Sequence, residues 1–311
     1  MTHTFNPLRS SSKSWGPNQP LVAVHQRLST TVAVVAMIAA SMGLLLDGVY
    51  GSDEATVQML RGFDAVALVV VAPGLLLAVR ADRRGIALGR VIAASLLAYL
   101  GYTYVYHLLG AGITDVLLLH APLLTTTLVA LALTMRTIPA AEPEPWSRTA
   151  HWTRRIPAAV LALLCVSLGA MWTYACVAYA VNGTFPSGSS LVESPAVTHL
   201  GIVLDLTVLV PLYGAAAVLL WSRAVWGFVL AAVALVAGIL HQVSYLVALV
   251  FQYTAEVPGS VAMDPVEPLI LLLYGVATAL LFRSEHTISA ACRHDLSAPD
   301  TDGDEDATAL P

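Results

Sequence analysis

Charge is scarce in this chain. Only 11% of its 311 residues are Asp, Glu, Lys or Arg, against about 25% in an ordinary soluble domain. Lysine occurs once, at Lys13. With 57% hydrophobic residues and a mean hydropathy of +0.75, the deficit excludes a water-soluble globular protein. A net charge of −5 and the lack of a basic stripe argue against nucleic-acid binding. Three cysteines are too few for a disulfide scaffold. There is no Gly-x-Ser-x-Gly elbow, phosphate loop, zinc-protease motif or nucleotide fingerprint, which argues against an ATP-driven pump. The alternating ten-residue segments of a membrane β-barrel are also missing.

What the chain does have is long apolar runs. A spanning helix needs about 20 such residues, and its backbone polar groups must be satisfied within the segment. Eight candidates are found, at roughly 30–49, 64–80, 86–109, 113–135, 156–181, 199–221, 226–251 and 268–283. The expected fold class is therefore all-α, a polytopic membrane protein with eight transmembrane helices. The first run is read as a retained helix rather than a signal peptide. Its charged N-terminal region is too long and no small-residue cleavage site follows.

The arginines set the orientation. With eight alternating spans, fourteen of the fifteen Lys and Arg residues fall on one side, and only Arg61 falls on the other. By the positive-inside rule both termini are cytoplasmic. The dominance of Arg over Lys suggests a GC-rich bacterial gene, and hence a bacterial cytoplasmic membrane. The outer loops are acidic, with Asp47, Asp53, Glu54, Asp115, Glu193, Glu256 and Asp264 in or beside them. They read either as loops that avoid positive charge or as a funnel that gathers cations.

Residues 1–20 read as a disordered cytoplasmic arm and 284–311 as a disordered acidic tail. The Pro-rich stretch 139–155 is a stiff linker between two four-helix halves, 21–138 and 156–283. Span two runs from Asp64 past Pro73 to Arg83. Span six runs from Asp205 past Pro211 to Arg223. This is compatible with a 4+4 parallel internal repeat, one of the repeat classes of transporters, although the Asp-to-Pro offsets differ.

Ionisable groups inside a bilayer each cost about 2.5–3.5 kcal/mol at mid-helix and so ask for a reason. They concentrate in the outer half of the spans: Asp64, His107, His120, His199, Asp205 and His241, with Tyr102 and Tyr245 at neighbouring levels. The inner half reads as nearly pure Ala, Val and Leu and is expected to be dry and closed. Asp205, His241, His120, Tyr245, Tyr102 and Asp64 are the candidates for a substrate or ion path. Asp205 is expected to pair with His241, His120 or a tyrosine, and Asp205, His120 and His241 to share one cavity. No cofactor is expected. If a metal or haem is bound, its ligands are His107, His120, His199 and His241, although no His-x-x-x-His spacing supports this.

The leading functional expectation is a secondary transporter or permease for a small molecule or ion, possibly proton- or cation-coupled. A non-catalytic sensor or assembly module, and a membrane redox protein using the outer histidines, are the alternatives. The lipid bilayer is the only partner the sequence names, and it leaves the oligomeric state open.

Overall fold

The computed structural model describes residues 19–138, 151–186, 189–224 and 226–295. These form eight long helices, and no strand occurs among them. In chain order they are α1 (Gln19–Leu45), α2 (Glu54–Arg83), α3 (Ala87–Leu109), α4 (Leu117–Thr137), α5 (His151–Asn182), α6 (Pro195–Trp221), α7 (Gly227–Thr254) and α8 (Glu267–Asp295). Seven of them, α1 to α7, are long and apolar enough to cross a membrane. In α8 the apolar run Pro268 to Phe282 rises only about 22 Å at 1.5 Å per residue, short of a ~30 Å hydrocarbon core. The chain is thus a multi-pass helical membrane protein, with seven such helices among the described residues where eight are expected. The arm before residue 19, most of the Pro-rich linker and the tail beyond residue 295 lie outside the described residues.

Helix starts follow local chemistry. Asp53 caps α2, its carboxylate accepting from the Thr56 N–H. Ser194 caps α6 by accepting from Val197 N–H, with Pro195 in the first turn, where a missing N–H costs nothing. α1 begins about ten residues earlier than its apolar run suggests. His25 and Gln26 of that first stretch meet Asp82 of α2, which the run itself cannot show. Arg61 caps α1: it donates to the Gly43 and Leu46 carbonyls and pairs with Asp47.

Helices α1 to α4 pack in a closed ring, each against the next and α4 against α1. Helices α5 to α8 repeat that pattern, and α7 joins the rings by packing on α2 and α3. The seam between α7 and α2 is tight: a Cβ on Gly62 would come within 2.5 Å of the Ala248 Cα.

α2 and α6 share an unusual element. Each contains a π turn, at Ala67–Val71 and Asp205–Leu209, and each turn is followed two residues later by a proline, Pro73 or Pro211. A proline ring clashes with the carbonyl four residues earlier. Here those carbonyls, of Val69 and Thr207, lie within the π turns, whose wider geometry relieves the clash. The correspondence continues at a constant separation of 138 residues. Arg84, Gly85 and Ile86 donate to Arg80, Asp82 and Ala81, and Ser222, Arg223 and Ala224 donate to Val218, Leu220 and Leu219. Gly85 has φ 81°, and Arg223, in its place, has φ 63°.

Candidate functional site

Three buried carboxylates organise the interior, and α3 separates two of them. At 100° per residue, Tyr102 and Tyr106 lie on one face of α3, and Thr103, Tyr104 and His107 on another.

On the first face lies Asp205, which opens the π turn of α6. The Tyr102 hydroxyl donates to its Oδ1 at 2.7 Å, and the Trp172 indole N–H from α5 donates to its Oδ2 at 2.7 Å. The Tyr106 hydroxyl is 3.4 Å from that of Tyr102. The His241 ring meets the Tyr102 ring edge-on, with centroids 5.1 Å apart. Of the expected partners the tyrosine is the one present; His241 stands beside the pair without bonding the carboxylate. Among the described residues no Lys, Arg or His lies within ion-pair distance of Asp205. Sequence reasoning missed Trp172, although an indole N–H deep in an apolar span needs an acceptor.

On the other face, Asp64 is 1% exposed. The Tyr50 hydroxyl donates to its Oδ2 at 2.5 Å, and His107 Nε2 lies 3.1 Å from its Oδ1. His107 Nδ1 is 3.0 Å from the Thr103 carbonyl. A carbonyl only accepts, so Nδ1 carries a hydrogen. One further proton must then lie between Nε2 and Oδ1, on one atom or the other. Gly43 of α1 makes room for this group, since a Cβ there would sit 2.0 Å from Asp64 Oδ2. His120 of α4 packs against His107 with ring centroids 4.9 Å apart, and also against Tyr50 and Tyr104. It is fully buried, and neither ring nitrogen has a hydrogen-bond partner; nor has the Tyr104 hydroxyl. His120 therefore belongs with Asp64 and not with Asp205 and His241, so the three residues expected to share one cavity do not come together.

The remaining candidates fall elsewhere. Tyr245 latches a loop: its hydroxyl accepts from the Leu191 N–H and bonds Ser189. His199 is exposed at the start of α6. Only His107 and His120 of the four possible metal ligands come together. Among the described residues no group of three or more His, Cys, Asp or Glu side chains is placed to hold a metal ion.

The third carboxylate is buried at the arginine-rich end, where the helices are expected to be nearly pure Ala, Val and Leu. Asp82 is 5% exposed. Its Oδ1 accepts from Arg90 at 2.9 Å and its Oδ2 from Gln26 at 2.6 Å, with His25 Nε2 at 3.4 Å. Arg90 also donates to the Thr137 carbonyl, and His25 Nδ1 lies 3.5 Å from the Thr134 hydroxyl. One cluster thus ties together the ends of α1, α2, α3 and α4. An acid within Arg80-Ala81-Asp82-Arg83-Arg84 reads as surface charge; its isolation among three cations was the available signal.

Glu193, in the loop before α6, is titratable near neutrality. Burial raises its carboxyl from 4.5 to about 7, against the opposing Thr198 hydrogen bond. A carboxyl with a raised folded value is stabilising while protonated. That stability is complete below about 4.5 and is lost as pH rises through 7. The protein should lose on the order of 2 kcal/mol between those limits, and Glu193→Gln should flatten the dependence. Thermal midpoints of both proteins across pH 4–8 provide the measurement. Parallel curves would refute the assignment.

In comparisons with known proteins, the chain matched no family model, no curated protein and no solved structure.

Proposed function

We propose that this membrane protein is a secondary transporter for a small organic cation, with Asp205 as its binding group, reached from the side that the arginine distribution makes the outer face. One observation carries the reading: Asp205 is a buried carboxylate with neutral partners only. Asp82 has Arg90 and Asp64 has His107, whereas Asp205 is held by Tyr102 and Trp172. An uncompensated buried charge is costly. Aromatic faces beside a carboxylate suit an ammonium group, which gains from the charge and from the ring quadrupoles. Asp205 is also the most accessible of the three, at 9% exposed. The π turns beside Pro73 and Pro211 supply the interrupted spans that alternating access uses, and the matched caps at the ends of α2 and α6 fit a two-half mechanism.

The test is current from proteoliposomes on a solid-supported membrane, with tetramethylammonium, benzylammonium, sodium and acetate as probes. The ammonium ions should give saturable currents, and Asp205→Asn should reduce them ~tenfold or more without changing the thermal midpoint. Currents from acetate alone, or an Asp205→Asn protein that transports ammonium ions normally, would overturn the reading.

A further inference from the structure

We infer that the first four-helix ring carries a proton path, running from Asp64, His107 and His120 along the buried face of α4 to His25 and Asp82. This goes beyond the cation site and does not use Asp205.

The buried face of α4 consists of His120, Leu123, Thr127, Ala130, Thr134 and Thr137, spaced three and four residues apart in alternation. Four of these six are polar, whereas the exposed side of the helix between Leu118 and Ala132 is Leu, Val, Ala and Pro with one polar residue, Thr125. Buried threonines in a membrane helix usually bond across to a neighbour and hold it. These do otherwise. Thr127 donates to the Leu123 carbonyl and Thr134 to the Ala130 carbonyl, both at 2.7 Å and both within their own helix. Both donors are used within α4; Thr127 makes no bond to another helix and keeps its lone pairs free to accept from water, whereas Thr134 also meets His25 of α1.

The ends of the stripe meet acid–histidine groups. At one end His120 touches His107, the ring bonded to Asp64. At the other, the Thr134 hydroxyl is 3.5 Å from His25 Nδ1, whose Nε2 is 3.4 Å from Asp82. Both His120 nitrogens, the Tyr104 hydroxyl and the Ser29 hydroxyl are buried without hydrogen-bond partners, and all lie on α1, α3 or α4 of this ring. Such groups call for water. Opposite the middle of the stripe, the fully buried residues of α1 between His25 and Gly43 are Ser29, Val32, Ala33, Ala36, Ala39 and Ala40, with Leu28, Val35 and Met37 partly buried beside them. From His120 to Thr127, and again from Thr127 to Thr134, the helix rises about 10 Å, which two or three hydrogen-bonded waters span.

A proton enters on the Asp64–His107 pair and passes through water to His120, then past Thr127 and Thr134 to His25 and Asp82, where it is released. One proton enters and one leaves. The charged and titratable groups facing the path are Tyr50, Arg61, Tyr99 and Tyr104 at the first end, and Arg90 at the second.

Proton entry into proteoliposomes of the full chain, loaded with a pH-sensitive dye and driven by a potassium diffusion potential without any solute, tests the proposal. Wild-type vesicles should acidify faster than protein-free ones. Thr127→Val keeps shape and volume and removes no bond to another helix, so it should leave the thermal midpoint unchanged while cutting the proton rate about tenfold. Thr127→Ser should restore the rate, and Asp205→Asn should leave it intact. Wild-type vesicles no faster than protein-free ones, or a Thr127→Val protein as fast as wild type, would overturn the path. Neither result bears on ammonium currents, so the cation site stands or falls separately.

Discussion

Arg90→Ala should lower the stability of the protein by about 3–5 kcal/mol, the range for removing one partner of a buried ion pair. The Asp82 carboxylate would keep its burial and lose its only strong cation, leaving Gln26 and His25 to hold it. The Thr137 carbonyl at the end of α4 would lose its donor as well. The loss comes mainly from the stranded charge, so replacing both members with leucine should recover most of it. That double variant is the decisive comparison: a midpoint as low as that of Arg90→Ala would show that the arginine acts through packing and not through Asp82. A single variant with a wild-type midpoint in thermal unfolding would remove the cluster from the forces holding the ring together.

Gly62→Val should be comparably damaging, through a different force. The Cβ of any larger residue would meet the α7 backbone at Ala248, and backbone cannot swing aside as a side-chain tip can. Overpacking usually costs 1–3 kcal/mol, and a contact with main chain belongs at the top of that range, about 3 kcal/mol. α7 is the helix that joins the two rings, so the damage should appear as looser association of the halves as well as a lower midpoint. Gly275→Ala is the control. Nothing lies within 4 Å of its Cβ position, so its effect should stay within about 0.5 kcal/mol. Equal midpoints for the two variants would contradict the close approach.

The spans were legible because lipid demands long apolar runs, and the boundaries of α3 and α7 fall close to where those runs end. The importance of Asp64 and Asp205 was legible too, because a carboxylate inside such a run has no cheap explanation. Their company was not. Whether His120 sits with Asp64 or with Asp205 depends on which helix stands beside α4, and nothing within one run encodes its neighbour. The twofold split of α3 could have been read from the angular positions of Tyr102 and His107, yet only the packing says that each face meets a different acid. His25 and Asp82 were hidden by their surroundings, one in a polar lead-in and the other among arginines. α8 is the one expected span whose apolar run is too short to count among the seven long apolar helices.

α3 is a party wall. Tyr102 faces a carboxylate on one side and His107 faces another on the far side, with a single residue of backbone between Tyr102 and the Thr103 carbonyl that holds the His107 ring. A small roll of this helix that tightens one contact must loosen or reorient the other. If occupancy at one acid favours one roll, it changes the affinity at the second by some factor, and thermodynamic linkage requires the second to change the first by the same factor. Two buried acids held by one helix would in that case exchange information without touching, with no moving loop to connect them.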